Sequence, residues 1–162
     1  MIPEGLRTHP YVTLLGDRVE AAAEDRGELT LYVRPARIVE ACRLLKDNGF
    51  NRLSAVTAVD WHPQEPRFEV VYHLHRLPLK GGAHERLRLK CRVGGESAEI
   101  DTVSSVWEGA NWYEREVFDL FGISFIGHPD LRRIMMPEDW IGHPLRKDYP
   151  IHGHKYDYAG ER

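Results

Sequence analysis

Residues 68–93 read FEVVYHLHRLPLKGGAHERLRLKCRV, a run in which two alternating stretches flank a loop. Phe68, Val70, Tyr72 and Leu74 fall on one side of an extended chain, with Arg67, Glu69, His73 and His75 on the other. Leu87, Leu89, Cys91 and Val93 alternate in the same way with Arg86, Arg88, Lys90 and Arg92. Period-two patterning of this kind predicts two strands, each with one buried and one polar face. The linking residues 76–84 hold Pro78, Gly81 and Gly82 and suit a long hairpin loop. Since one face of this sheet is polar, helices are expected on the other face alone.

Upstream, Leu29, Leu31 and Val33 alternate with Thr30, Tyr32 and Arg34, which predicts another half-buried strand. Pro35 then opens a helix in which Ile38, Ala41, Cys42 and Leu45 recur at helical spacing, until Asn48-Gly49 stops it. Leu53 to Trp61 carries apolar residues on both faces, as a central strand does. From Val12 to Ala23 the apolar positions Val12, Leu15, Val19, Ala22 and Ala23 follow helical spacing, with Gly16 as an interruption. The expected fold is therefore α+β: a small mixed sheet of about four strands with helices on one face, spanning residues 1–110.

Downstream the pattern changes. Asn111 is expected to begin a helix, with Glu114 placed as in a capping box and Gly122 as its C-terminal stop. Trp112, Tyr113, Val117, Leu120 and Phe121 supply its apolar side, and the helix with its turn fills residues 111–127. Residues 128–162 carry four prolines and four histidines with no sustained periodicity. A stretch this long and irregular cannot satisfy its backbone in a core of its own. Trp140, Tyr149, Tyr156 and Tyr158 disfavour simple disorder, so an extended arm docked on another surface is expected.

The full chain of 162 residues carries Lys+Arg 22 and Asp+Glu 25, a net charge of −3. That near balance disfavours a general nucleic-acid binder. No apolar run is long enough for a membrane-spanning helix, and Met1 to Tyr11 lacks the apolar stretch of a signal peptide. Two cysteines without a CxxC make a disulfide scaffold, a Cys-rich zinc site or an iron–sulfur cluster unexpected. These features predict a soluble, cytoplasmic chain.

Candidate chemistry is sparse. His73 and His75 share one strand face, and His152 and His154 repeat the spacing in the arm. A catalytic zinc usually takes three protein ligands, and no HExxH is present, so a polar strand face and a terminus are the simpler reading. Ser104, Ser105 and Ser124 lack a nucleophile context, and Cys42 and Cys91 fall on apolar faces. No phosphate loop or dinucleotide fingerprint occurs. The row Arg86, Arg88, Lys90, Arg92 could meet an acidic surface, although a solvated face partly neutralised by Glu69 is simpler. Glu114, Glu116 and Asp119, with Arg115, are read as an ion-pair network with Arg132, Arg133, Arg146, Lys147 and Asp148 rather than a general acid/base pair.

Residues 111–150 read NWYEREVFDLFGISFIGHPDLRRIMMPEDWIGHPLRKDYP. This run closely resembles the signature region of the C subunit of the proton-pumping NADH:quinone oxidoreductase, respiratory complex I. The pieces are ERE at Glu114 to Glu116, DLFGI at Asp119 to Ile123, GHPDLRRI at Gly127 to Ile134 and GHPLRKDYP at Gly142 to Pro150.

The resemblance implies a structural and assembly component of the peripheral arm, of the bacterial type and not fused to the D subunit. It implies no cofactor, metal or catalytic residue in this chain, with FMN and iron–sulfur clusters held by partner subunits. Partners would be other complex I subunits, chiefly the D subunit and neighbouring iron–sulfur subunits, at the cytoplasmic face of the inner membrane. The signature positions then become interface candidates: Glu114, Arg115, Glu116, Asp119 and Gly122 on the helix, and His128, Pro129, Asp130, Leu131, Arg132 and Arg133 beyond it. Trp140, His143, Pro144, Arg146, Lys147, Asp148 and Tyr149 complete the set. Trp140, Tyr149, Leu131 and Arg133 are the expected anchors, with Glu116 and Asp119 holding the arm's arginines. The equivalent subunit of a related membrane-bound hydrogenase or dehydrogenase is the alternative, and a stand-alone His-dependent metalloenzyme a remote one.

Overall fold

A computed structural model describes residues 1–78, 81–95 and 97–152. The chain opens with a short helix α1 (Pro10–Leu15), then β1 (Val19–Asp25), β2 (Glu28–Val33) and α2 (Ile38–Asp47). Three long strands follow, β3 (Arg52–Asp60), β4 (Phe68–Arg76) and β5 (Glu85–Val93). The remaining elements are β6 (Glu99–Asp101), α3 (Ala110–Phe121) and β7 (Ser124–Ile126). No helix among the described residues is long and apolar enough to cross a membrane.

The main sheet has the order β1-β2-β5-β4-β3, with β2 and β5 parallel and the other pairs antiparallel. The α+β class and mixed sheet agree with the sequence reading, but the sheet has five strands rather than four. The fifth is β1, which falls where helical spacing suggested a continuous helix from Val12. Gly16, at φ +57°, ends α1, and the chain re-emerges extended at Val19. Arg26 and Gly27, both at positive φ, then close a two-residue hairpin that pairs Asp25 with Glu28. A second, two-stranded sheet pairs β6 with β7 in parallel.

The apolar sides of β2, β4 and β5 meet Ile38, Ala41, Cys42 and Leu45 of α2 in one core. Cys42 and Cys91 are buried free thiols, and burial pushes both thiols up. Strand β3 lies at the sheet edge rather than at its centre. One of its faces is buried, with Leu53, Val56 and Ala58 inward and α3 packed against the strand, whereas Thr57 and Val59 on the other face stay exposed.

The opposite sheet face is polar and internally paired. Glu69 takes Lys90 at 2.8 Å and Arg92 at 3.6 Å, while Glu28 pairs with Arg88 and lies 3.9 Å from Arg86. His75 Nδ1 faces His84 Nε2 at 2.8 Å, and His73 is not part of that pair. His152 is exposed, whereas His154, Tyr156 and Tyr158 lie outside the described residues.

Candidate docking site

Helix α3 organises everything that follows it. Gly109 precedes its first turn without a side-chain cap, so the capping box does not form. Glu114 instead points inward and accepts from the Val103 amide at 2.8 Å and from the Thr102 hydroxyl. At the other end Gly122 adopts the expected left-handed conformation, φ +73°. Trp112, expected on the apolar side, is 61% exposed, while Val117 and Phe121 are buried.

Asp119, near the C-terminal end of α3, is fully buried, a position unfavourable for a carboxylate unless donors surround it. Its Oδ2 accepts the amides of Ile134, Met135 and Met136 at 3.0, 2.7 and 2.8 Å. Its Oδ1 takes Arg133 Nη1 at 2.6 Å. Burial alone pushes this carboxyl upward, but the three amides and the guanidinium outweigh it and hold Asp119 below its ordinary value. Arg133 also donates to the carbonyls of Trp140 and Gly142, each at 3.1 Å, which draws residues 133–142 into a closed loop.

The last carbonyls of α3, left open by the helix itself, are taken up by the same segment. His143 Nδ1 reaches Asp119 O at 2.8 Å, the Leu145 amide reaches Leu120 O at 3.0 Å, and Arg146 Nε reaches Phe121 O at 2.6 Å. The carbonyl partner fixes His143 as the Nδ1–H tautomer, and burial pushes its pKa down. A Cβ on Gly122 would sit 2.5 Å from the His143 ring and from Arg146 Nη2. Gly122→Ala should therefore cost about 1–2 kcal/mol in backbone conformation alone and displace His143. Denaturant titration of the variant measures the first effect, and the His143 ring resonances report the second.

A second buried carboxylate pins the far end. Asp60, at the end of β3, accepts the Lys147 amide at 2.8 Å, the His62 amide at 2.9 Å and Arg67 at 2.8 and 3.0 Å. Burial pushes against its charge, yet Arg67 and the two amides hold it down at about 2. Arg67 turns its other edge to Asp148, forming two bonds of 2.6 and 3.0 Å. Neither Asp60 nor Arg67 was among the sequence candidates. They lie some eighty residues from Lys147 and Asp148, and the only local sign was an aspartate closing an apolar strand.

The other candidates divide by position. Arg115 is buried and donates to the carbonyls of Arg132 and Arg133 at 3.2 and 3.3 Å, with Trp112 stacked 5.2 Å away. The His128 side chain is buried, with its ring between Asn111 O and the Asp130 amide, both at 3.1 Å. Asp130 pairs with the exposed Arg132 at 3.0 Å, and Leu131 packs on the core. Pro129 lines a surface cavity beside α3, and Pro144 is half-buried. The Tyr149 hydroxyl donates to Ile141 O at 3.3 Å, and the half-buried Trp140 has an indole N–H without a partner among the described residues. Glu116 is exposed and, among the described residues, forms no ion pair with an arm arginine. Glu114, Arg115, Asp119 and Arg133 are thus spent inside the chain, shaping the arm rather than presenting themselves. Trp112, Met135, Ile141 and Leu145 are all more than half exposed, among exposed charged residues that include Arg132, Glu138, Asp139 and Lys147.

Residues 31–155 match the family described as respiratory-chain NADH dehydrogenase, 30 Kd subunit. The NADH-quinone oxidoreductase C subunit of Geobacter metallireducens is 54% identical over 152 residues, 90% of this chain and 91% of the relative. In Rhizobium etli, the NADH-quinone oxidoreductase C subunit numbered 2 is 45% identical over 157 residues, 95% of this chain and 81% of the relative. Among solved structures, the trypsin-resistant fragment (1-134) of Nqo5 superposes with a TM-score of 0.63 at 38% identity, covering 68% of this chain and 88% of that one. A chain of the membrane-bound sulfane sulfur reductase, an archaeal respiratory membrane complex, gives 0.68 at 30% identity, covering 86% and 82%.

Proposed function

The chain belongs to the C-subunit family of NADH-quinone oxidoreductase, and from that premise we propose that it is a cofactor-free docking and assembly component of the complex's peripheral arm. The complex catalyses NADH:quinone oxidoreduction. In this reading FMN and the iron–sulfur centres sit in partner subunits, and electrons pass through them to quinone with coupled proton translocation. The partners are chiefly the D subunit and the neighbouring iron–sulfur subunits, and the chain is peripheral, at the cytoplasmic face of the membrane.

One observation carries the docking role. Arg133 and the backbone amides of Ile134, Met135, Met136 and Lys147 turn inward onto Asp119 and Asp60, while the side chains of Met135, Ile141 and Leu145 on the arm and Trp112 on α3 turn outward. Large exposed apolar side chains on a segment without regular structure suit burial against another protein. Internal pinning lowers the ordering cost that an arm of this length would otherwise meet on docking. Both cysteines support the cofactor-free part, since each is packed into the core beside apolar neighbours.

Affinity purification of the chain from mildly solubilised native membranes tests this. Flavin, iron–sulfur proteins and NADH:quinone activity should co-purify with it. A sulfur-reducing set without NADH oxidation would move the chain to the related complexes, a reading that the sulfane sulfur reductase likeness keeps in view. Arg133→Ala should lower the yield of assembled complex, because about 3 kcal/mol of arm docking depends on that pair. Turnover per assembled complex should stay near normal, and normal yield with impaired turnover would count against a docking role.

A further inference from the structure

Among the described residues of this region, Glu114 is the buried carboxyl that no cation meets. Its side chain is fully buried, and its oxygens take the Val103 amide and the Thr102 hydroxyl. The nearest basic group is His128, whose Nε2 lies 3.8 Å away. That ring is occupied on both nitrogens: Nδ1 accepts from the Asp130 amide, so Nε2 carries the hydrogen that goes to Asn111 O. That hydrogen is directed at the carbonyl and not at the carboxyl. Arg115, next along α3, points the other way, onto the arm carbonyls. Cys42 of α2 and Tyr72 of β4 face the carboxyl from the core, and burial keeps both protonated. Asp101, the remaining charged neighbour in sequence, is exposed.

Thr102 connects this carboxyl to the surface. Its Oγ1 lies 2.8 Å from Ser104 Oγ and accepts the Ser104 amide at 3.1 Å. Thr102 and Ser104 line a surface cavity of about 370 Å³, together with Glu108 and Asn111. Two proton arrangements satisfy every partner in this chain of oxygens. With Glu114 ionised, Ser104 donates its hydroxyl hydrogen to Thr102, and Thr102 donates to Glu114. With Glu114 protonated, the direction reverses: Glu114 donates to Thr102, Thr102 donates to Ser104, and the Ser104 hydrogen is free to point into the cavity. Moving between the two consumes one proton from solvent and shifts one hydrogen along each link, with no heavy atom displaced.

We propose that Glu114 is a proton-exchange site, loaded and unloaded from solvent through the hydroxyls of Ser104 and Thr102. The uncompensated burial pushes the Glu114 carboxyl up to about 7, against the opposing bonds from Thr102 and Val103. A group raised in this way holds its proton in the fold where the unfolded chain has released it. Its stabilising effect is full below about 4.5 and is lost as pH rises through about 7.

Carbon-13 NMR of the glutamate carboxyls in the full chain tests this, with Glu114→Gln identifying the resonance. One carboxyl should titrate with a midpoint near 7 and vanish in that variant. Thr102→Val removes the hydroxyl that supports the ionised form and should move the midpoint further upward. Ser104→Ala should move it the same way by less, and that half-buried position keeps the test open if Thr102→Val fails to fold. A midpoint at the ordinary glutamate value would overturn the site. An unchanged midpoint in the hydroxyl variants would overturn the relay.

Discussion

Asp119→Ala is expected to release the arm from α3 at a cost of about 3–5 kcal/mol, the usual consequence of removing one partner from a buried ion pair. The variant leaves Arg133 without its carboxylate and the amides of Ile134, Met135 and Met136 without an acceptor. It also frees the loop that Arg133 closes onto Trp140 and Gly142. The α/β unit should keep its fold, because the core shared by the sheet, α2 and the apolar side of α3 (Val117 and Phe121) does not include the Asp119 side chain. Far-ultraviolet circular dichroism should therefore change little, while recovery of the chain in assembled complex should fall sharply. Asp119→Asn retains one acceptor oxygen and should fall between the two. Recovery equal to the parent chain would show that this pin does not matter for docking.

Arg67→Ala is expected to produce the second largest effect, and its signature is in acid. Asp60 is depressed from 3.8 to about 2, so it contributes stability that is present above its unfolded value and is lost as pH falls through about 2. The shift corresponds to roughly 2 kcal/mol at neutral pH. Burial keeps that figure relevant, since the Asp60 side chain is only 2% exposed. Asp119 and Asp148 are depressed too and lose their contributions in the same direction. Without Arg67, Asp60 keeps only the amides of His62 and Lys147, and Asp148 is released. Stability of the variant should be lower at pH 7 and fall less steeply between pH 5 and 2 than that of the parent. Parallel curves for the two chains would show that the guanidinium does not set the Asp60 charge.

Much of this was legible in the sequence where the signal was local. Alternation marked β2, β4 and β5, helical spacing marked α2, and Gly122 marked the end of α3. The failures have physical causes. Val19 and Ala22 keep helical spacing, and a register irregularity between Val19 and Ala21 is what lets both be buried in a strand that pairs with β2 through the Arg26-Gly27 turn. The apolar residues on both faces of Leu53 to Trp61 suggested a central strand, but β3 is an edge strand with one buried face, and Val59 on the other stays exposed. Glu114 sits where a capping box would use it, yet desolvated contacts with Thr102 and Val103 claim it instead. The Asp119–Arg133 pair was anticipated from charge, whereas the three amides that complete it belong to backbone geometry and leave no residue-type trace. The Asp60–Arg67–Asp148 pin depends on contacts across the whole chain.

Amide hydrogen exchange on the free chain tests the central claim, that the arm is folded onto its own α/β unit before any partner arrives. The amides of Ile134, Met135, Met136 and Lys147, all bound to buried carboxylates, should exchange at least about a hundredfold more slowly than unstructured peptide. Exchange at the unstructured rate, slowing only once the assembled complex is formed, would show that the partner folds the arm.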